Sequence, residues 1–261
     1  MDSTRANAYL RRIGAARPTA ADAESLHTLH LRHLLTVPFE NLSIHLGQDI
    51  VLTDTALVEK VVGAERGGFC YELNGAFAAL LRSLGYGVDL LAARVFGDGG
   101  LLGPPYDHLA LRVTTADGGG PWLADIGFGR HSHYPLDYGS RADQHEPGGV
   151  FRIAETAEGD LDVSHNGSPV YRLEQRPRAL GDFEATCWWQ RTSPTSTFRQ
   201  SLVCSRLTGT GRVTLSGRKL VVTDHEGGRE ERELGDGEIL AAYREHFGIA
   251  LDREPAVAPV G

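Results

Sequence analysis

Apolar positions in the first third of the chain recur at helical spacing, and from residue 88 onward they fall into short runs broken by turns. In TAADAESLHTLHLRHLLTV, Leu26, Leu29, Leu34 and Leu35 keep a helical stripe, and Pro38 lies just beyond its end. TDTALVEKVVG reads as a second helix, with Thr53 or Asp54 as N-cap and Gly63 as stop. A third opens at Cys70, where Leu73, Phe77, Leu80, Leu81 and Leu84 recur before Gly85 and Gly87. The segments VDLLAARVF, HLALRVTT, PWLADIGFG, VFRIAE, LDVSHN and PVYRLEQ are β-rich and separated by Gly, Pro and Asp. Such a run of antiparallel strands predicts a small barrel or sandwich. A helix over part of ALGDFEATCWWQ, the strands SLVCSRL, RVTLSG and KLVVTD, and a closing helix in GEILAAYREHFG complete the chain. The expected fold class is α+β in three consecutive parts: helical over 1–87, β over 88–180, and α/β over 181–261.

Composition narrows the class without naming a function. Hydrophobic residues at 41% and charged residues at 23% suit a soluble globular protein of 261 residues. A net charge of -8 argues against a general binder of nucleic acid or membrane surface, which needs clustered Lys and Arg. No run approaches the roughly 20 apolar residues that span a bilayer. The first residues, MDSTRANAYLRRIG, lack the apolar core of a secretory signal. Three cysteines, Cys70, Cys187 and Cys204, form neither an even disulfide set nor a C-x-x-C pair, so a reducing cytoplasm is the expected location.

The stretch RGGFCYELNG carries the sharpest chemical signal. Cys70 follows two glycines at a helix start, where the helix dipole favours a thiolate and glycine permits close approach of a substrate. A buried packing thiol fits Cys70 alone equally well. A nucleophile needs a base and a group to orient that base. His108 opens the strand DHLALRV directly after the turn GPPY, and Asp125 closes the apolar strand in WLADIGFG, so pairing of these strands would bring the two together. His27, His30 and His33 recur every three residues but lack a supporting carboxylate or Cys cluster, so they read as surface or partly packed, as do His131 and His133. No metal site is expected. Cys187 and Cys204 read as packing residues. Glu40 in VPFENLSI and Arg66 in RGGFC are either a bracing pair for the loop before Cys70 or two separate surface charges.

The order Cys, His, Asp, with the Cys opening a helix, resembles the papain and transglutaminase arrangement. VPFENLSI, RGGFCYELNG, DHLALRV and ADIGFG, with SPTSTF and LSGRKL, resemble more specifically the signature segments of the arylamine N-acetyltransferases, over nearly the whole chain. The resemblance implies an N-terminal helical bundle, a central antiparallel β-barrel and a C-terminal α/β lid around a cysteine-protease-like core. It implies a ping-pong reaction with acetyl-coenzyme A as cosubstrate, no bound cofactor, and a small arylamine or hydrazine as acceptor. Cys70, His108 and Asp125 become the triad. Phe39, Val95, Phe128 and Phe198 become acceptor-pocket candidates, and Gly129 a place where the coenzyme approaches the backbone. Asp107 stands where a Thr is frequent in the family, Gly97 where a bulky aromatic can occur, and Glu231, near Arg229 and Arg232, where a basic residue can face the coenzyme phosphates. These departures bear on acceptor size and coenzyme contacts. They also leave room for the alternative, an amide synthase of the same family that releases or cyclises a polyketide chain from a carrier protein. A cysteine peptidase, a transglutaminase-like enzyme and a non-catalytic scaffold fit the signature segments less well.

Overall fold

Helix α1 (Ser3–Arg12) buries Ala6, Tyr9 and Leu10 on one face, the spacing of a single helical stripe. It was not legible as an apolar run because arginines surround that stripe. The computed structural model describes residues 1–257, so the last four residues of the segment 181–261 lie outside the described part. Helix α2 (Ala23–Thr36) starts at Asp22, whose side chain accepts from Ser25 N. Its buried face is Leu26, Leu29, His30 and His33, whereas Leu34 and Leu35 are only half-buried. This corrects the expectation for the histidines: His30, His33, His131 and His133 are all buried. The reason is pairing, since His33 Nε2 lies 2.9 Å from Tyr9 Oη and His30 Nδ1 lies 2.9 Å from the His133 carbonyl. Among the described residues, no cluster of His, Cys, Asp and Glu is arranged to hold a metal, and no helix is long and apolar enough to cross a membrane.

After the two-residue strand β1 (Phe39–Glu40) come α3 (Leu42–Leu46) and α4 (Asp54–Val58), the latter capped by Thr53 and continued by a π turn to Gly63. Helix α5 (Cys70–Ser83) is buried along its length from Cys70 to Leu81 and forms the axis of the helical layer. The barrel follows: β2 (Gly87–Val95), β3 (His108–Thr114), β4 (Trp122–Ala124), β5 (Leu136–Asp137), β6 (Gln144–Glu146), β7 (Gly149–Glu155), β8 (Leu161–His165) and β9 (Ser168–Arg178). Their order in the sheet is β5-β4-β3-β2-β9-β8-β7-β6. The two edges meet through Gln144, whose side chain accepts from Asp137 N and donates to Asp137 O, so the sheet nearly closes. Every residue from His108 to Leu111 is buried, because Ala110 fills the barrel while Leu109 and Leu111 pack against the helices. β4 ends at Ala124, one residue before the Asp125 expected to close it. There Asp125 Oδ1 accepts from Gly127 N at 3.0 Å and turns the chain.

The remaining elements are α6 (Glu184–Thr192), α7 (Thr197–Gln200), β10 (Val203–Thr208), β11 (Gly211–Ser216), β12 (Lys219–Asp224), β13 (Arg229–Glu233) and α8 (Ile239–Phe247). A second sheet runs β1-β10-β11-β12-β13, with α8 closing its core through Tyr243 and Phe247. β13 is wholly exposed and charged, the kind of edge that resists further pairing and escapes hydrophobic pattern reading. Asn41 anchors the lid to the helical part: its Nδ2 donates to Phe198 O and Ser201 O, and its Oδ1 accepts from Val203 N.

The loop before Cys70 is clamped from beneath. A Cβ on Gly67 would lie 1.9 Å from the Pro38 carbonyl, so no larger residue fits. Glu40, fully buried, accepts from Arg66 Nε at 2.9 Å and from Leu42 N at 2.6 Å, while Arg66 Nη2 lies 2.8 Å from Glu40 Oε1. Lys60 joins Glu72, whose other oxygen accepts from Phe69 N at 3.2 Å and so caps α5 at the residue before Cys70. Burial alone would raise the Glu40 pKa, but the charges of Lys60 and Arg66 outweigh it and hold it below the ordinary glutamate value. Its contribution to stability is therefore complete above that ordinary value and is lost as pH falls through the lower, folded one. Removing one partner leaves a buried charge behind. Glu40→Gln and Arg66→Met should each cost about 3 kcal/mol, or roughly 6–12 °C in a thermal melt near neutral pH. Melts that overlay the wild type for both would mean that the pair carries no weight.

Candidate active site

Cys70 of α5, His108 of β3 and Asp125 of the turn after β4 converge at the junction of α5 with the barrel. Cys70 is the first residue of α5, and its Sγ lies 3.8 Å from the carbonyl of Asp107, the residue before His108. His108 opens β3 opposite Ala93 of β2. Its Nε2 lies 2.7 Å from Asp125 Oδ2, which leaves Nδ1 as the second ring nitrogen. Asp125 is 1% exposed. Burial alone would raise its pKa, but the neighbouring His108, His131 and Asn74 outweigh that and hold the carboxyl well below the usual range.

Asn74 is the residue that the sequence reading missed. It sits one turn after Cys70 on α5, and its Nδ2 donates to Asp125 Oδ1 at 2.9 Å and to Leu109 O at 2.6 Å. Its Oδ1 accepts from Ile126 N at 3.1 Å. One side chain thus ties the helix, β3 and the turn after β4. The available signal was an amide four residues beyond Cys70 on an otherwise apolar helix face. Gly127 makes that closeness possible, since a Cβ there would lie 2.7 Å from Asn74 Nδ2 and 2.8 Å from Cys70 Cα.

The aromatic candidates fall into two groups. Phe128 meets the His108 ring edge-on at 5.2 Å, and Tyr171 of β9 lies 5.1 Å from the same ring. Phe39 and Phe198 lie 6.0 Å apart, and Phe198 also packs on Phe69, next to Cys70. Gly129 has φ 86°, and a Cβ on it would press on the Phe39 ring at 3.2 Å. Val95 ends β2 and donates its N–H to Asp107 Oδ1 at 3.0 Å. Burial pushes the Asp107 carboxyl up to about 6, against that bond and the charges of His108 and Arg94. Glu231 is held by Lys219 and Arg229, and Arg232 by Glu238. A groove of about 570 Å³ along α2, lined by His27, Leu31, Arg32 and Tyr134 among others, includes neither Cys70 nor Asp125.

The thiols differ from the simplest expectation. Burial pushes the Cys70 thiol well above its ordinary value, the nearby Asp125 and Asp107 carboxylates add to the rise, and a backbone hydrogen bond from Leu109 opposes it. The helix start alone does not make this thiol acidic. Burial likewise pushes Cys187 up to about 12 and raises Cys204.

Comparison with known proteins agrees with this architecture. A family model described as N-acetyltransferase matches residues 22–256. The arylamine N-acetyltransferase of Escherichia coli K12 is 34% identical over 256 residues, covering 94% of this chain and 89% of its own length. The solved arylamine N-acetyltransferase of Salmonella typhimurium superposes with a TM-score of 0.87 at 31% identity, covering 95% of this chain and 92% of its own. The Mycobacterium marinum arylamine N-acetyltransferase in complex with CoA gives 0.86 at 29% identity, covering 93% and 92%. A cysteine at the head of a buried helix, a bundle joined to a barrel, and these matches along nearly the whole chain lead to one conclusion: the chain belongs to the arylamine N-acetyltransferase family of acyltransferases.

Proposed function

We propose that this enzyme transfers an acetyl group from acetyl-coenzyme A to a small arylamine or arylhydrazine by a ping-pong route through acetyl-Cys70. The observation that carries the reading is the bond from His108 Nε2 to Asp125, which leaves Nδ1 as the nitrogen for a proton from Cys70. His108 Nδ1 takes that proton, and the thiolate attacks the thioester carbonyl. The resulting oxyanion sits near the Cys70 backbone N–H at the start of α5. Coenzyme A leaves as its thiol, taking the proton back from His108. The acceptor amine then attacks acetyl-Cys70, gives its proton to His108, and the Cys70 thiol is restored. One thioester is exchanged for another, so little free energy is lost before the amine arrives. Asp125 keeps the His108 ring in the tautomer with Nε2 protonated. Phe39, Val95, Phe128 and Phe198 form the acceptor pocket, Gly129 gives the coenzyme its approach to the backbone, and Glu40 with Arg66 braces the loop. The segments 1–87, 88–180 and 181–261 serve as nucleophile, base and lid.

Because burial disfavours an isolated thiolate at Cys70, the ion pair with His108 is the condition for reaction. Acetyl-coenzyme A without any amine should therefore add the mass of one acetyl group to the protein, and a simple arylamine should remove it. Cys70→Ala should abolish the gain, His108→Gln should nearly abolish it, and Asp125→Asn should leave a weak remnant. Intact-mass measurement reads all four proteins. Wild-type protein unmodified by acetyl-coenzyme A, yet acylated by longer or carrier-bound thioesters, would overturn the assignment in favour of amide synthesis.

Gly127→Ala tests the packing of the site. The added methyl group must displace Asn74 or the first turn of α5, and the first-half acetylation rate should drop about a hundredfold with all three proposed catalytic side chains intact. A rate equal to the wild type would show that this contact does not set the geometry.

A further inference from the structure

His30 is fully buried on α2, and both of its ring nitrogens are committed to main-chain groups of another part of the chain. Nδ1 lies 2.9 Å from the carbonyl oxygen of His133. Nε2 lies 3.3 Å from the backbone nitrogen of Asp125. A carbonyl oxygen only accepts and an amide N–H only donates, so Nδ1 must carry the proton and Nε2 must be bare. The ring packs edge-on against Phe77 of α5, which limits its rotation. The chain of bonds continues outward, because His133 N donates to Glu146 Oε2 at 2.8 Å. The Asp125 main chain is thus held from one side by His30, while its carboxylate is held from the other by His108, Asn74 and Gly127.

We propose that His30, in its neutral Nδ1–H tautomer, is a positioning residue that sets the Asp125 backbone and, through the Asp125 carboxylate, the orientation of the His108 ring. The inference rests on the reading of Cys70, His108 and Asp125 as the reacting set. A protonated His30 could not accept from Asp125 N. The groups facing the ring are His27 and His33 on its own helix, His131 and His133 on the loop after β4, and Asp125 itself. Among them burial dominates and pushes His30 down to about 4, so the ring is neutral at ordinary pH. Losing a partner that orients a metal-binding histidine or carboxylate costs about ten- to a hundredfold in affinity or activity, and that sets the scale expected here.

Three substitutions separate its two bonds. His30→Leu removes both. His30→Gln can place an amide oxygen where Nε2 accepts from Asp125, and His30→Asn can place an amide nitrogen where Nδ1 donates to His133. The first-half acetylation rate at saturating acetyl-coenzyme A should fall about tenfold or more in His30→Leu, while the half-saturating concentration stays within about twofold. Gln should recover most of the rate and Asn should not. A wild-type rate in His30→Leu, or a recovery in Asn equal to that in Gln, would overturn the proposal. Cys70→Ala and His108→Gln run alongside: if these still acetylate at the wild-type rate, it is the triad that fails and not His30 alone. Long-range ¹H–¹⁵N spectra of the unmodified protein at neutral pH give a check free of folding effects. They should show His30 protonated at Nδ1 and bare at Nε2, and a proton on Nε2 would overturn the proposal.

Discussion

The negative charge of Asp125 sits where water scarcely reaches, and the geometry around Cys70 follows from holding it there. A buried carboxylate without donors is too costly to persist, so it recruits His108 from β3, Asn74 from α5 and the amide of Gly127 from its own turn. Those donors belong to the barrel and to the helical layer. Sliding one against the other would unpair the charge, so the carboxylate locks two parts of the fold in register. Cys70 inherits its position from that lock, since Asn74 stands one turn away on the same helix and Gly127 touches the Cys70 backbone.

The same dryness works in opposite directions on the two states of Cys70 in the proposed reaction. It disfavours the thiolate, and in the proposed reaction the His108 imidazole must share that charge. Within that reaction it suits the neutral acetyl thioester, since Cys70 is 3% exposed and a dry site holds back hydrolysis. In the proposed cycle, burial is a cost at the attack step and a protection while the acyl group waits for an amine.

Much of the architecture could be read from periodicity because the elements that carry it bury one regular face. β7, β8 and the hairpin β10–β11 show such faces, while α5, β3 and the middle of β2 are buried nearly all round and read as apolar runs between turn signals. Elements built on other physics were not legible. β13 is charged throughout, β1 is too short to show a period, and α1 hides three buried residues among arginines. In the site, Cys70, His108 and Asp125 could be selected because each stands at the end of an element, where chemistry is usually placed. Asn74 and His30 lie inside helices. Their importance depends on partners far away in the chain, and in one sequence a buried, satisfied histidine looks the same as a surface one.

β1 pairs with β10, and Asn41 reaches across 160 residues to Ser201. The platform beneath Cys70 is therefore completed by a strand made late in synthesis. At about 5–20 residues per second, roughly 8–32 s pass between the emergence of Asn41 and of the segment that captures it. Until then β1 has no strand to pair with. Cys70 is thus made well before β10, the strand that completes the sheet beneath it. The finished geometry around Cys70 therefore waits on a late, non-local strand pairing.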